Sequence, residues 1–139
     1  MVLIMGKSKA HCEDQFGTDP RPNSVTRAGV HYLSGWRCTQ CDLPRAVPAP
    51  SCPDCRGELV ESDFGPHGTV WSSTVVHLDM EGLSAPYGLA YIDLDEGPRF
   101  LAHTGERPKP LTVGSRVRIT GLSARGDVEV ASMEKDGSR

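Results

Sequence analysis

The sequence predicts a mainly β protein: an N-terminal arm, a small cysteine-clipped ribbon and a five-stranded barrel. Three observations lead there. Two C-x-x-C knuckles, Cys38/Cys41 and Cys52/Cys55, flank a proline-rich loop. After residue 64 come five short segments rich in β-branched residues, each closed by Gly, Pro or Asp. Gly (15) and Pro (11) are abundant and aromatics make up only 6% of the chain, a texture of short strands and many turns rather than of a helical bundle.

The elements follow in order. Residues 1–33 show no sustained helical or strand period. DPRPNS within them is a turn or linker signal, so they read as an arm, with a short helix around Ala10–Phe16. Residues 34–63 hold the four paired cysteines. From residue 64 to the end the strand segments are GTVWSSTVVHL, PYGLAYIDLD, RFLAHT, VGSRVRITGL and VEVASM. The fourth alternates: Val117 and Ile119 face one way, Arg116, Arg118 and Thr120 the other. In the fifth, Val128 and Val130 point inward. Five short strands with Gly-rich corners fit a small barrel of the OB type. The closing DGSR reads as a tail.

The knuckles carry the clearest chemistry. In C-x2-C-x10-C-x2-C, each tight turn brings two sulfurs to one ion, and two turns complete a tetrahedron. Zinc is the expected ion, and iron shares the same ligand set. A thioredoxin-type redox pair would be a single C-x-x-C at a helix start. Catalytic zinc keeps a position open for water, whereas four thiolates close the shell, so this ion would be structural. Arg37, Arg45 and Arg56 lie close enough in sequence to offset the thiolate charge. Cys12 has no knuckle partner and reads as a free thiol.

The formal net charge is −3, and acidic residues outnumber basic ones from residue 64 onward, so a general affinity for nucleic acid or anionic membrane is not expected. No stretch approaches ~18–20 continuous apolar residues, the length of a membrane span. The opening MVLIM is short, and its lysines follow rather than precede it, the reverse of a signal peptide. A cytoplasmic location is expected, where reduced thiols favour metal over disulfides.

Taken together, GWRCTQCDLPRAVPAPSCPDC, GTVWSSTVVHL, PYGLAYIDLDEGPRFLAH and VGSRVRI resemble a family with a rubredoxin-like zinc ribbon followed by an OB barrel, often labelled acyl-CoA-associated. The Leu94–Arg99 turn and the Gly68–Val70 strand start carry most of the likeness, which covers about residues 34–133. Two departures stand out. Many members have Gly after the second cysteine, where this chain has Asp42. The loop between Gly82 and Pro86 is short, which would restrict a ligand tunnel there. The resemblance implies an accessory subunit of thiolase-, ketosynthase- or hydratase-like enzymes. The partner would hold the catalytic residues, and a CoA thioester would be contacted from the assembly.

Candidate contact residues are Trp36, Trp71, His77, Arg99, Arg116 and Arg118. The tryptophans could stack on a ligand, although Trp36 could instead pack the ribbon on the barrel. Arg99, Arg107, Lys109, Arg116 and Arg118 could meet phosphates or an acidic rim, or could form a solvated strand face. Asp93, Asp95 and Glu96 read as turn residues rather than acid–base catalysts. His77 and His103 lie near strand ends, and His67 in a Pro-His-Gly turn. Beside the accessory subunit stand two other readings: a single-strand nucleic-acid binder, which would need a basic groove with stacking aromatics, and a stand-alone acyl-CoA-binding protein or enzyme, for which no nucleophile, phosphate-loop or open-metal motif is present.

Overall fold

The computed structural model describes residues 21–80, 82–105 and 109–133. Cys12, Arg107, the short helix expected at Ala10–Phe16 and the C-terminal tail fall outside them. The described residues form two β assemblies and no helix.

The first assembly begins earlier than the sequence reading placed it. Within the stretch assigned to the arm, β1 (Asn23–Arg27) pairs antiparallel with β2 (Val30–Cys38). Arg27 pairs with Val30 across a two-residue turn, Ala28–Gly29, with φ of 52° and 79°. Two positive φ angles give the type I′ geometry that matches strand twist. Ala in place of the usual Asn or Asp hides this hairpin from a sequence reading. Strand β2 then pairs with β3 (Pro44–Arg45) and β4 (Leu59–Phe64). The knuckles hang from the end of β2 and from the loop before β4.

The second assembly is a closed barrel in the order β5-β6-β7-β9-β8, the five-stranded OB architecture expected. Its strands are β5 (His67–Val76), β6 (Tyr87–Leu94), β7 (Arg99–His103), β8 (Arg116–Leu122) and β9 (Val128–Ser132). Period-2 alternation sends Val70, Ala90, Ile92, Phe100, Val117, Ile119, Val128 and Val130 inside. The five strands fall in the segments read from the sequence, except that β5 begins one residue earlier, at His67, which the sequence reading placed in a turn.

One core serves both assemblies. Leu33 of β2 and Phe64 of β4 are buried in the same apolar cluster as the barrel interior. Gly97, in the β6–β7 turn, comes so near Phe64 that a Cβ would lie 3.0 Å from its ring. Arg37 lies over the Phe64 ring at 5.0 Å and donates to the Glu96 carbonyl at 2.8 Å, tying ribbon to barrel turn. Leu33, Phe64 and Arg37 therefore make the junction expected of Trp36, which is half-buried and lies outside the core cluster.

Candidate metal centre and binding faces

The four knuckle cysteines converge, with their sulfurs all within 4.8 Å of one another. Cys38 and Cys55 approach to 3.4 Å, Cys41 and Cys52 to 3.6 Å. A tetrahedral zinc with Zn–S bonds near 2.3 Å separates its sulfurs by about 3.8 Å, so the cluster fits one four-coordinate ion with little adjustment.

The two knuckles are near copies. Asp42 N–H donates to the Cys38 carbonyl at 3.1 Å, and Arg56 N–H to that of Cys52 at 2.8 Å. Cys38 N–H reaches the Leu43 carbonyl at 3.0 Å and Cys52 N–H that of Gly57 at 2.9 Å. Amides also point at sulfur: Gln40 and Cys41 toward Cys38 at 3.3 and 3.5 Å, Asp54 toward Cys52 at 3.4 Å. Such donors stabilise thiolate charge. The Cys41 amide, with that of Gln40 and the neighbouring thiols, outweighs burial and holds Cys38 down to about 6. At Cys41 the Leu43 amide pulls downward, but burial and the neighbouring thiols push it up to about 12. Gly57 passes so close that a Cβ there would lie 2.8 Å from the Cys38 sulfur.

Two of the three arginines expected to offset the thiolates have other tasks. Arg37 pairs with Asp42 at 3.3 Å, and Arg45 donates to the Val47 carbonyl at 3.2 Å. The backbone amides supply the donors that reach the sulfurs.

Of the six candidate contact residues, the fold brings some together and separates others. Trp71 is the extra residue of a bulge between Val70 and Ser72, which turns its ring outward. The Arg99 guanidinium stacks over that ring at 3.9 Å while bonding the Asp93 carboxylate at 2.5 and 3.0 Å. Tyr91 meets Trp71 edge-on at 6.0 Å. Next along the barrel wall, Arg116 bonds Thr69 at 2.9 Å and grips Asp95 at 2.9 and 2.6 Å. Arg99 holds the Asp93 carboxyl below the usual carboxylate range, and Arg116 does the same for Asp95. Asp93 and Asp95 are thus ion-pair partners, beyond the turn role read from the sequence. Trp36 sits on the ribbon sheet, His77 is exposed just past β5, and Arg118 lines a separate cleft. His103 is half-buried, stacked on Tyr87 at 6.4 Å and 3.6 Å from the buried Asp127 carboxylate, which Arg21 and Arg125 also pair.

Beside Trp71, which the sequence reading named, the outer wall of β5–β7 carries residues that it did not single out. Trp71 is 50% exposed, Tyr91 43% and Leu101 39%. Three shallow depressions of about 380, 280 and 280 Å³ adjoin there, all bordered by Leu101. Met80, Leu83, Tyr87 and Leu89 extend the surface. The signal was present in GLAYIDL: β6 is apolar at its inward positions and again at outward Tyr87, Leu89 and Tyr91. A strand apolar on both faces is one covered on both.

The chain was compared with known proteins. A profile described as the ChsH2 C-terminal OB-fold domain matches residues 61–122. A DUF35 domain-containing scaffold protein from Methanocaldococcus jannaschii is 30% identical over 107 residues, 70% of this chain and 76% of that protein. The chain belongs to the DUF35 family. Benzoylsuccinyl-CoA thiolase subunit BbsA of Thauera aromatica is 32% identical to this DUF35 protein over 93 residues, 64% of the chain. The match spans 62% of that subunit's own length. Among solved structures, the Ltp2-ChsH2(DUF35) aldolase superposes with a TM-score of 0.62 at 26% identity, over 74% of this chain and 86% of that one.

Proposed function

We propose that this DUF35 protein is a non-catalytic accessory subunit of a thiolase- or ketosynthase-like condensing enzyme, supporting acyl-CoA or acyl-carrier-protein chemistry performed by its partner. The observation that carries the reading is the outer wall of β5–β7, where Leu89, Tyr91 and Leu101 line one depression and exposed Trp71 meets Tyr91 edge-on. Monomeric proteins rarely leave such patches uncovered. Aromatic residues are enriched at protein interfaces, and here the Asp93–Arg99 pair supplies a polar rim. The similar proteins named as a thiolase subunit, a scaffold and an aldolase assembly support the same reading.

Zinc is the ion we assign to the four cysteines, in a structural role, because four thiolates leave no position for water or substrate. Reduced cysteine ligands suit a cytoplasmic setting, and among the described residues no helix is long and apolar enough to cross a membrane. Single-strand nucleic-acid binding is less well supported. Arg99 and Arg116, the cations beside the exposed aromatics, are already neutralised by Asp93 and Asp95.

The test is co-expression with a thiolase- or ketosynthase-like protein encoded beside this chain. A monodisperse complex is expected, weakened by Leu101→Lys and by Trp71→Ser. If no complex forms and the partner's activity ignores this chain, the reading is wrong.

A further inference from the structure

A second feature lies on the other side of the barrel and owes nothing to the subunit reading. Where the β1–β2 hairpin crosses β8, a cleft of about 360 Å³ opens, lined by His31, His67, Arg118, Thr120 and the backbone of Gly29 and Val30. Its volume is at the lower end of small-ligand sites. Three separate elements each bring one nitrogen-bearing side chain: β2, the start of β5 and the middle of β8.

Of the nine described arginines, Arg45, Arg56 and Arg118 form no ion pair, and of these only Arg118 lines the cleft. Arg21, Arg27, Arg37, Arg99, Arg116 and Arg125 all pair with an aspartate. Arg118 makes no ion pair or side-chain hydrogen bond with any described residue. No carboxylate is among the residues lining the cleft. The nearby Asp95, whose amide donates to the His67 carbonyl at 3.1 Å, is held at both carboxylate oxygens by Arg116. His31 is oriented by its Nδ1 contact with Thr26 Oγ1 at 2.9 Å, which leaves Nε2 for a ligand. The Cε1 edge of its ring faces Gly121, where a Cβ would stand 3.6 Å from Cε1.

We propose that this cleft binds the phosphate group of a small phosphorylated ligand. Arg118 supplies the permanent charge and a forked donor, and His31 and His67 supply N–H donors from two further directions. Donors converging from three sides suit the three terminal oxygens of a phosphate monoester better than the two of a carboxylate. A nucleic-acid strand is the less favoured occupant, because tracking a backbone takes a row of free cations and this cleft holds one.

The experiment follows the histidine ring resonances of the metal-loaded full chain by NMR at constant ionic strength. Inorganic phosphate, inorganic pyrophosphate, adenosine 5′-monophosphate, acetate and a short oligonucleotide are titrated in turn. Saturable shifts at His31 and His67 are expected with the phosphate compounds. His77, which lies just past the far end of β5 and does not line the cleft, should stay still. Tighter binding of the monophosphate than of free phosphate would mark a nucleotide-like ligand, and equal binding would mark the phosphate alone as the recognised group. Arg118→Gln should weaken binding by about tenfold or more, and His67→Gln gives an independent second loss. The proposal is overturned if both rings stay still at millimolar phosphate, if acetate shifts them equally, if neither variant weakens binding, or if the oligonucleotide binds more tightly than the monophosphate.

Discussion

Asp42 and Arg56 occupy the same place in the two knuckles, each directly after the second cysteine, with φ of 70° and 66°. Both amides turn back to the carbonyl of their knuckle's first cysteine. The turn demands a left-handed residue there, a conformation that Gly adopts without steric cost. This chain accepts the strain twice. Asp tolerates that conformation better than Arg. Arg56→Gly should therefore stabilise the protein, by roughly 0.5–1 kcal/mol after the entropy that Gly adds to the unfolded chain. A rise of a few degrees in Tm checks it. Asp42→Gly should gain less, since it also gives up the Arg37 ion pair.

Metal removal should be the most damaging single perturbation. Cys38 and Cys52 are buried, and the segment from residue 38 to 58 has little apolar core of its own. Binding free energy of such an ion is folding free energy. A strong chelator should release one ion per chain and lower Tm, and Cys52→Ser should mimic it. Metal quantification paired with a thermal melt reads both. A metal-free chain melting at the same temperature would exclude a structural role for the ion.

Leu33→Ala tests the shared core. The side chain is fully buried among barrel residues although it belongs to the ribbon sheet. A loss of about 2–5 kcal/mol is expected. The parent should unfold in a single transition whether followed by Trp36 in the ribbon or Trp71 on the barrel. Single-tryptophan variants in a denaturant titration would show it, and two separate transitions would contradict it.

The Asp95–Arg116 pair gives a pH signature. The folded-state pKa of Asp95 is depressed. Its contribution is therefore present above the ordinary Asp value, about 3.9, and fades as pH falls through the lower folded value. The pair is exposed, so the coupling should be small. A double-mutant cycle with Asp95→Asn and Arg116→Gln at pH 7 and below pH 4 should find coupling at the first and less at the second.

Much was legible in the chain itself. The cysteine spacing picked out the four thiols that the fold brings together, because two sulfurs three residues apart can converge on one point only through a tight turn. Alternation in VGSRVRITGL and β-branched runs elsewhere placed the five barrel strands, because a closed barrel forces every second side chain inward. The β1–β2 hairpin escaped notice because its Ala-Gly turn lacks the usual Asn. Long-range relations were also hidden. That Arg99 rests on Trp71 depends on how the barrel closes, and that Leu33 joins the barrel core and Arg118 shares a cleft with two histidines depends on how the ribbon lies across it. Local spacing dictates turns and alternation through backbone geometry. Which faces meet is decided by packing over the whole surface, and no short stretch of residues encodes that.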